Sequence, residues 1–167
     1  MDKIPGVGVA IVIDVNDPEK LGRLKLRFPW MPDEVTSPWV PVAAPFAGND
    51  RGAYYAPEIG DEALVAFELG NFDHPFVVGF LWNGKDKPPT EDVHLRLFRS
   101  VNGHEIAVHD PAVTGGDKGY IRIKDAHGNV VELANAQITI QSVGIINIKA
   151  PSVMINGRPV LISPTPI

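Results

Sequence analysis

In the last third of the chain, apolar residues recur at a fixed step. Val130, Ile138, Ile146, Met154 and Ile162 stand eight residues apart. Between them the sequence alternates: in "QITIQSVGIINIKA", Ile138 and Ile140, then Ile146 and Ile148, point one way, and Gln137, Thr139, Gln141, Asn147 and Lys149 point the other. From Gly119 onward the chain reads as a ladder of short strands, "YIRIKD", "NVVELA", "QITIQS", "IINIKA", "SVMIN" and "RPVLIS". An internal repeat near eight residues is the pattern of a β-solenoid. No helix-like stretch follows to cover its apolar side. One chain cannot bury enough of that side to offset the conformational entropy of ordering the ladder. Other copies must cover the face and pair the strand edges. The expectation is an intertwined homotrimer in which each chain forms one wall of a three-sided prism. Ile138, Ile140, Ile146, Ile148, Ile155 and Ile162 then form the core on the axis.

The first ninety residues have a different character. "GVGVAIVIDV" and "GRLKLRF" are β-like runs joined by the turn-rich "NDPEKLG", with Leu24, Leu26 and Phe28 alternating against Arg23, Lys25 and Arg27. "SPWVPVAAPF", "IGDEALVAFELG" and "HPFVVGFLWNG" follow. Five strands with glycines at the bends and no amphipathic helix fit a small closed barrel better than an open sheet. Sixteen Gly and sixteen Pro without a collagen-like period agree with many strands and turns. The apolar start faintly imitates a signal peptide, but Pro5, Gly6 and Gly8 interrupt it, Asp14 closes it and no small-residue cleavage site follows. It reads as a buried first strand of a protein made in the cytoplasm without a classical export signal. The expected organisation is all-β: a barrel over 1–92, a connection and start of the needle over 93–118, and the needle over 119–167.

Several chemistries find no support. The absence of Cys removes disulfides and thiolate nucleophiles. No Gly-x-Ser-x-Gly elbow or phosphate loop is present. "HEIAVH" superficially resembles a zinc-protease motif, but His104 and His109 are five apart, and an odd separation in a strand puts them on opposite faces. No catalytic, cofactor or metal residues are assigned. The rival is a module binding single-stranded nucleic acid: Lys20, Arg23, Lys25 and Arg27 form a basic stripe with Trp30 and Trp39 nearby in sequence. A net charge of −5 opposes it and favours a solvated outer face. Asn83-Gly84, Asn102-Gly103 and Asn156-Gly157 read as turn dipeptides.

The segment from about Gly22 to Pro89 resembles the OB-fold domain of the spike proteins of contractile injection machines. These are the VgrG proteins of type VI secretion, the central spikes of contractile-tail phages and their extracellular relatives. The motifs that carry the likeness are "GRLKLRFPW", Trp39-Val40, "PEIGDE", "HPFVVG" and "WNG", and "GHEIAVHD" resembles the start of the family's trimeric β-helix. The resemblance implies an OB-fold barrel followed by a triple-stranded β-helix, or β-prism, with a mechanical rather than enzymatic role: a central spike that pierces a target membrane. VgrG chains carry a hub region ahead of the barrel, whereas this sequence begins with the barrel's first strand, so a separate trimeric hub protein is expected. Pro89 and His104 are too close to hold the lysozyme insertion of some phage spikes. The family finishes its needle with a metal held by a His-x-His pair or with a separate PAAR-type tip protein. This chain has no His after His127 and no carboxylate side chain after Glu132. A tip protein contacting Leu161, Ile162, Ser163, Pro164 and Ile167 is therefore expected.

Overall fold

Val7–Asp14 is apolar at almost every position, and it forms β1, the strand on which the first sheet is built. It pairs antiparallel with β2 (Lys25–Arg27) on one side and β5 (Glu62–Phe67) on the other. β6 (Pro75–Leu81) extends the sheet to the order β2-β1-β5-β6. The two-residue period selects the core: Ala10 and Val12, Leu24, Leu26 and Phe28, Ala63, Val65 and Phe67, and Val77 are all buried. Arg23, Lys25 and Arg27 lie between those apolar positions and keep partial exposure. The computed structural model describes residue 4, residues 6–112 and residues 116–160.

The two edges of this sheet meet through a segment that is not itself a regular strand. Leu24 and Val40 exchange both backbone hydrogen bonds, at 2.9 and 2.8 Å. On its other side the same segment meets β6, where the Ala43 N–H donates to the Val77 carbonyl and the Val77 N–H donates to the Pro41 carbonyl. Residues 36–43 thus stand between β2 and β6 and close the sheet into a barrel. Pro38 and Pro41 have no N–H, which reduces this fifth wall to isolated bridges. Ser37 supplies a side-chain substitute. Its buried hydroxyl accepts the Leu26 N–H at 2.9 Å and donates to the Pro38 carbonyl at 2.6 Å. Phe28, Phe67, Phe72 and the half-exposed Trp30 stack at one end, with ring centroids 5.3 to 6.1 Å apart. A short hairpin of β3 (Ala47–Gly48) and β4 (Arg51–Gly52) interrupts the connection to β5.

This barrel lies within one compact unit, Met1–Pro88, and the rest of the chain forms a second, Pro89–Ile167. The second unit is a five-stranded antiparallel meander of β7 (Leu95–Arg99), β8 (Glu105–His109), β9 (Tyr120–Lys124), β10 (Val130–Ala134) and β11 (Gln137–Gln141). Residues 93–118 therefore contain two strands that share the sheet with the ladder after Gly119. Gly119 lies just before β9 at φ +78°, where an added Cβ would be driven into the His109 carbonyl oxygen. Only glycine fits there.

β10 and β11 are joined by Asn135 and Ala136, both in the left-handed region at φ 49° and 60°. That is the conformation of a two-residue hairpin turn whose twist matches the flanking strands. Asn156-Gly157 does the same, at φ 51° and 75°, between β12 (Met154–Ile155) and β13 (Arg158–Pro159). Asn83 serves its turn differently: its Oδ1 accepts the backbone N–H groups of Lys85 and Asp86. The stretch 145–150, expected as a strand, joins no ladder among the described residues. A strand needs a neighbour along its edge, and no other segment among the described residues lies beside this one.

Two substitutions test this account. Ser37→Ala leaves the Leu26 N–H buried and unpaired, and should cost about 1–3 kcal/mol in denaturant unfolding of the barrel. Ala136→Gly should raise the melting temperature of the sheet unit by relieving a left-handed alanine of about 1 kcal/mol of strain. An unchanged or lowered melting temperature would contradict the turn assignment.

Candidate assembly interface

The register of the meander fixes which side chains share a face. Phe98, Ile106, Ile123, Val131 and Ile140 stand opposite one another in one row across the five strands. Arg96, Val108, Ile121, Leu133 and Ile138 form the neighbouring row. Directly opposed residues in an antiparallel pair point to the same side, so nine apolar side chains and one arginine make a continuous face. Among the described residues of the unit nothing covers it: Ile106, Ile121 and Ile123 are about half exposed, and Ile138 reaches 69 %.

The reverse face carries the polar chemistry and is better sheltered. Arg99 pairs with Glu105 across β7 and β8 at 2.6 Å, and Arg122 pairs with Glu132 across β9 and β10 at 2.6 Å. The Arg122 guanidinium also lies 4.1 Å from the centre of the Tyr120 ring, which stacks on His109. His109 reaches Asp92 at 3.2 Å, and Asp92 is held below the ordinary carboxylate range first by the His94 N–H and then by the His109 charge. Ala107, in the middle of this face, is buried. The sheet is thus inverted relative to one that folds alone: the Arg99–Glu105 and Arg122–Glu132 pairs are less exposed than its isoleucines.

Of the residues assigned from sequence to a trimer axis, Ile138 and Ile140 lie on β11 and belong to this apolar face. Ile146 and Ile148 lie in the unpaired stretch and Ile155 on β12, all exposed and outside the five-stranded sheet. Ile162, with the tip-contact residues Leu161, Ser163, Pro164 and Ile167, lies outside the described residues. Phe98, Ile106 and Val108 extend the face onto β7 and β8, within the span 93–118 expected as a connection and the start of the needle. The alternation in "RLF" and "EIAVH" was the available sign.

The basic stripe of the barrel unit is largely neutralised by its own neighbours. Arg23 is bound by Asp17 at 2.7 Å and by Glu19 at 2.9 Å, and Arg27 pairs with Asp33 at 3.3 Å. Trp30 packs on Phe28 and Phe72 rather than standing free as a base platform. Asp17 is the centre of a tight loop: its carboxylate accepts the N–H groups of Glu19, Leu21 and Arg23 as well as the guanidinium, with only 3 % of the side chain exposed. His104 accepts the Ala126 N–H, while His109 binds Asp92, so the two histidines turn to different partners. No group of three or more His, Asp or Glu side chains among the described residues is arranged to hold a metal ion.

Residues 8–82, the closed barrel, match the type VI secretion system/phage-baseplate injector OB domain. The chain is 30 % identical over 148 residues to the type VI secretion system spike protein VgrG1a of Pseudomonas aeruginosa, covering 77 % of this chain and 23 % of that protein. Identity to VgrG2a of the same species is 34 % over 111 residues, covering 62 % and 13 %. Identity to VgrG3 of Vibrio cholerae is 30 % over 95 residues, covering 52 % and 9 %. This chain carries an injector OB domain and is similar to VgrG spike proteins over part of its length. It spans less than a quarter of the length of each of these relatives. In this OB domain Arg23 is tied to acids of the loop before β2 and Arg27 to Asp33 of the loop after it, which weakens the positive field of the stripe.

The Asp17 loop gives a pH prediction. Hydrogen bonding from Arg23, reinforced by three backbone N–H groups, holds the Asp17 carboxyl well below the usual carboxylate range. A depressed folded pKa contributes stability above the unfolded value near pH ~4, and loses it as pH falls through the folded one. Asp17 should therefore stay ionised at pH 3 in a carboxyl-detected NMR titration, and Asp17→Asn should remove hydrogen-exchange protection from the amides of 19–23. Titration in the ordinary range would contradict the geometry.

Proposed function

We propose that the chain acts as the central spike of a contractile injection apparatus, as a homotrimer in which each five-stranded sheet forms one wall of a three-sided prism. The observation that carries this reading is the uncovered apolar face. Five strands ~4.8 Å apart and about five residues long at ~3.3 Å each give a face of roughly 400 Å². A patch of that size on a soluble unit marks an interface. Its occupant must also satisfy the open backbone edges of β7 and β11, and strands of like copies do both. The eight-residue repeat supports continuation of the prism as a triple-stranded β-helix: Ile146 and Ile148 extend the apolar series in a stretch without a strand partner among the described residues, and Ile155 and Ile162 continue it in the sequence. The spike proteins to which the chain is similar support the assembly as part of a multi-protein injection complex.

In this reading the role is mechanical and not enzymatic. The OB domain docks on a trimeric hub, the prism transmits the force of contraction to a target membrane, and a PAAR-type tip protein caps the far end at Leu161, Ile162, Ser163, Pro164 and Ile167. The spike is assembled into a phage tail, a type VI-like apparatus or an extracellular injection particle. Binding of nucleic acid is the weaker alternative, because Arg23 and Arg27 are already paired with carboxylates. A salt-sensitive gel shift with single-stranded DNA would revive it.

Sedimentation of the purified chain should give a trimer. Ile140→Asp would place three like charges about one dry axis and should yield monomers or a melting temperature lowered by more than about 10 °C. Lys149→Asp, on the solvated side, should change neither. A folded monomer in dilute sedimentation, or an Ile140→Asp trimer of unchanged melting temperature, would overturn the prism. Deleting Ser163 to Ile167 should abolish binding of a tip protein encoded in the same cluster, and unchanged binding would remove the capping role.

A further inference from the structure

The barrel has a second apolar surface that its own fold does not use. β1, β5 and β6 turn Ala10, Val12, Ala63, Val65 and Val77 inward, yet their outward positions are also apolar. Val7 stands opposite Ala66, which stands opposite Phe76; Val9 stands opposite Leu64, which stands opposite Gly79. Of the next row, Ile11, Glu62 and Leu81, only Glu62 is charged. Val7, Val9, Phe76 and Leu81 are exposed. An antiparallel sheet with one solvated face normally alternates apolar with polar, and here that alternation is missing.

A strained residue stands at the edge of the same surface. Leu69, in the turn between β5 and β6, is 88 % exposed and held at φ 51°. A leucine in the left-handed region costs about 1–2 kcal/mol, and its exposure brings no return within this chain. Both features suit a surface that something else covers.

Size decides what covers it. Three strands ~4.8 Å apart and about five residues long give roughly 250 Å². Two free proteins need about 800 Å² each to form a stable specific contact. This face cannot capture a partner from solution, so its occupant must already be tethered beside it. Within the trimer reading given above, on which this inference rests, the chains joined through their sheet units hold their barrels at the millimolar-range effective concentrations of short tethers. We propose that the outward face of β1, β5 and β6, with Leu69 at its edge, is a second contact between copies of this chain, closed only after the sheet units have joined.

The test uses the full chain, purified alone, with Phe76→p-benzoylphenylalanine as a photo-crosslinker and Asp33→p-benzoylphenylalanine as the control, since the Asp33 side chain is 89 % exposed and lies off this face. After irradiation of the assembled protein, position 76 should give at least about tenfold more two-chain and three-chain adduct than position 33, with adducts mapping to residues 8–82 of a neighbouring copy. A sedimenting trimer in which position 76 gives no more adduct than the control overturns this inference and leaves the prism intact. A monomer in the same sedimentation run overturns the prism itself, and this contact with it.

Discussion

The structure depends on where an antiparallel sheet is permitted to leave its apolar face. In the second unit the arginine–glutamate pairs lie on the sheltered side and the isoleucines on the open one, the reverse of what water alone would select. A face of that kind is costly while water covers it, an edge such as that of β11 leaves backbone groups without a neighbouring strand, and in the proposed trimer strands of like copies would meet both needs. Both requirements call for the same occupant, so the surface energetics and the hydrogen-bond accounting agree.

The barrel solves the edge problem within one chain. Its fifth wall, residues 36–43, contains two prolines and cannot form a full ladder, so closure relies on reciprocal hydrogen bonds at Leu24 and Val40, a bridge to Val77 and the hydroxyl of Ser37. The two units therefore use opposite strategies. One folds its edges back onto itself, while the other leaves them for assembly.

Much of this was legible in the sequence, because the signals involved are local. The alternation in "GRLKLRF" specified both the buried and the solvated side of β2, and the repeat through Ile138 and Ile140 specified the face they occupy. Three features escaped. The closing segment was visible as an apolar run, but its reduction to bridges depends on the prolines meeting two neighbours that only the tertiary fold supplies. The span 93–118 reads as a connection and the start of the needle, but the full membership of β7 and β8 in the ladder's sheet is hidden because their strands do not keep the eight-residue step. The pairing of Arg23 with Asp17 and Glu19 requires a loop that turns the chain back on itself, and residue spacing alone reads the same stripe as free positive charge.

The ion pairs on the sheltered side of the meander bear on what a needle of such walls would meet in a bilayer. Isolated charges carry a large Born self-energy when their surroundings change from water to hydrocarbon, whereas opposite charges held in contact present a dipole whose field falls off much faster. In the proposed needle, Arg99 against Glu105 and Arg122 against Glu132, each at 2.6 Å, would keep the solubility of charged residues while lowering the dielectric barrier to passage. A rod built this way needs less work per ångström of lipid crossed than one studded with unpaired lysines.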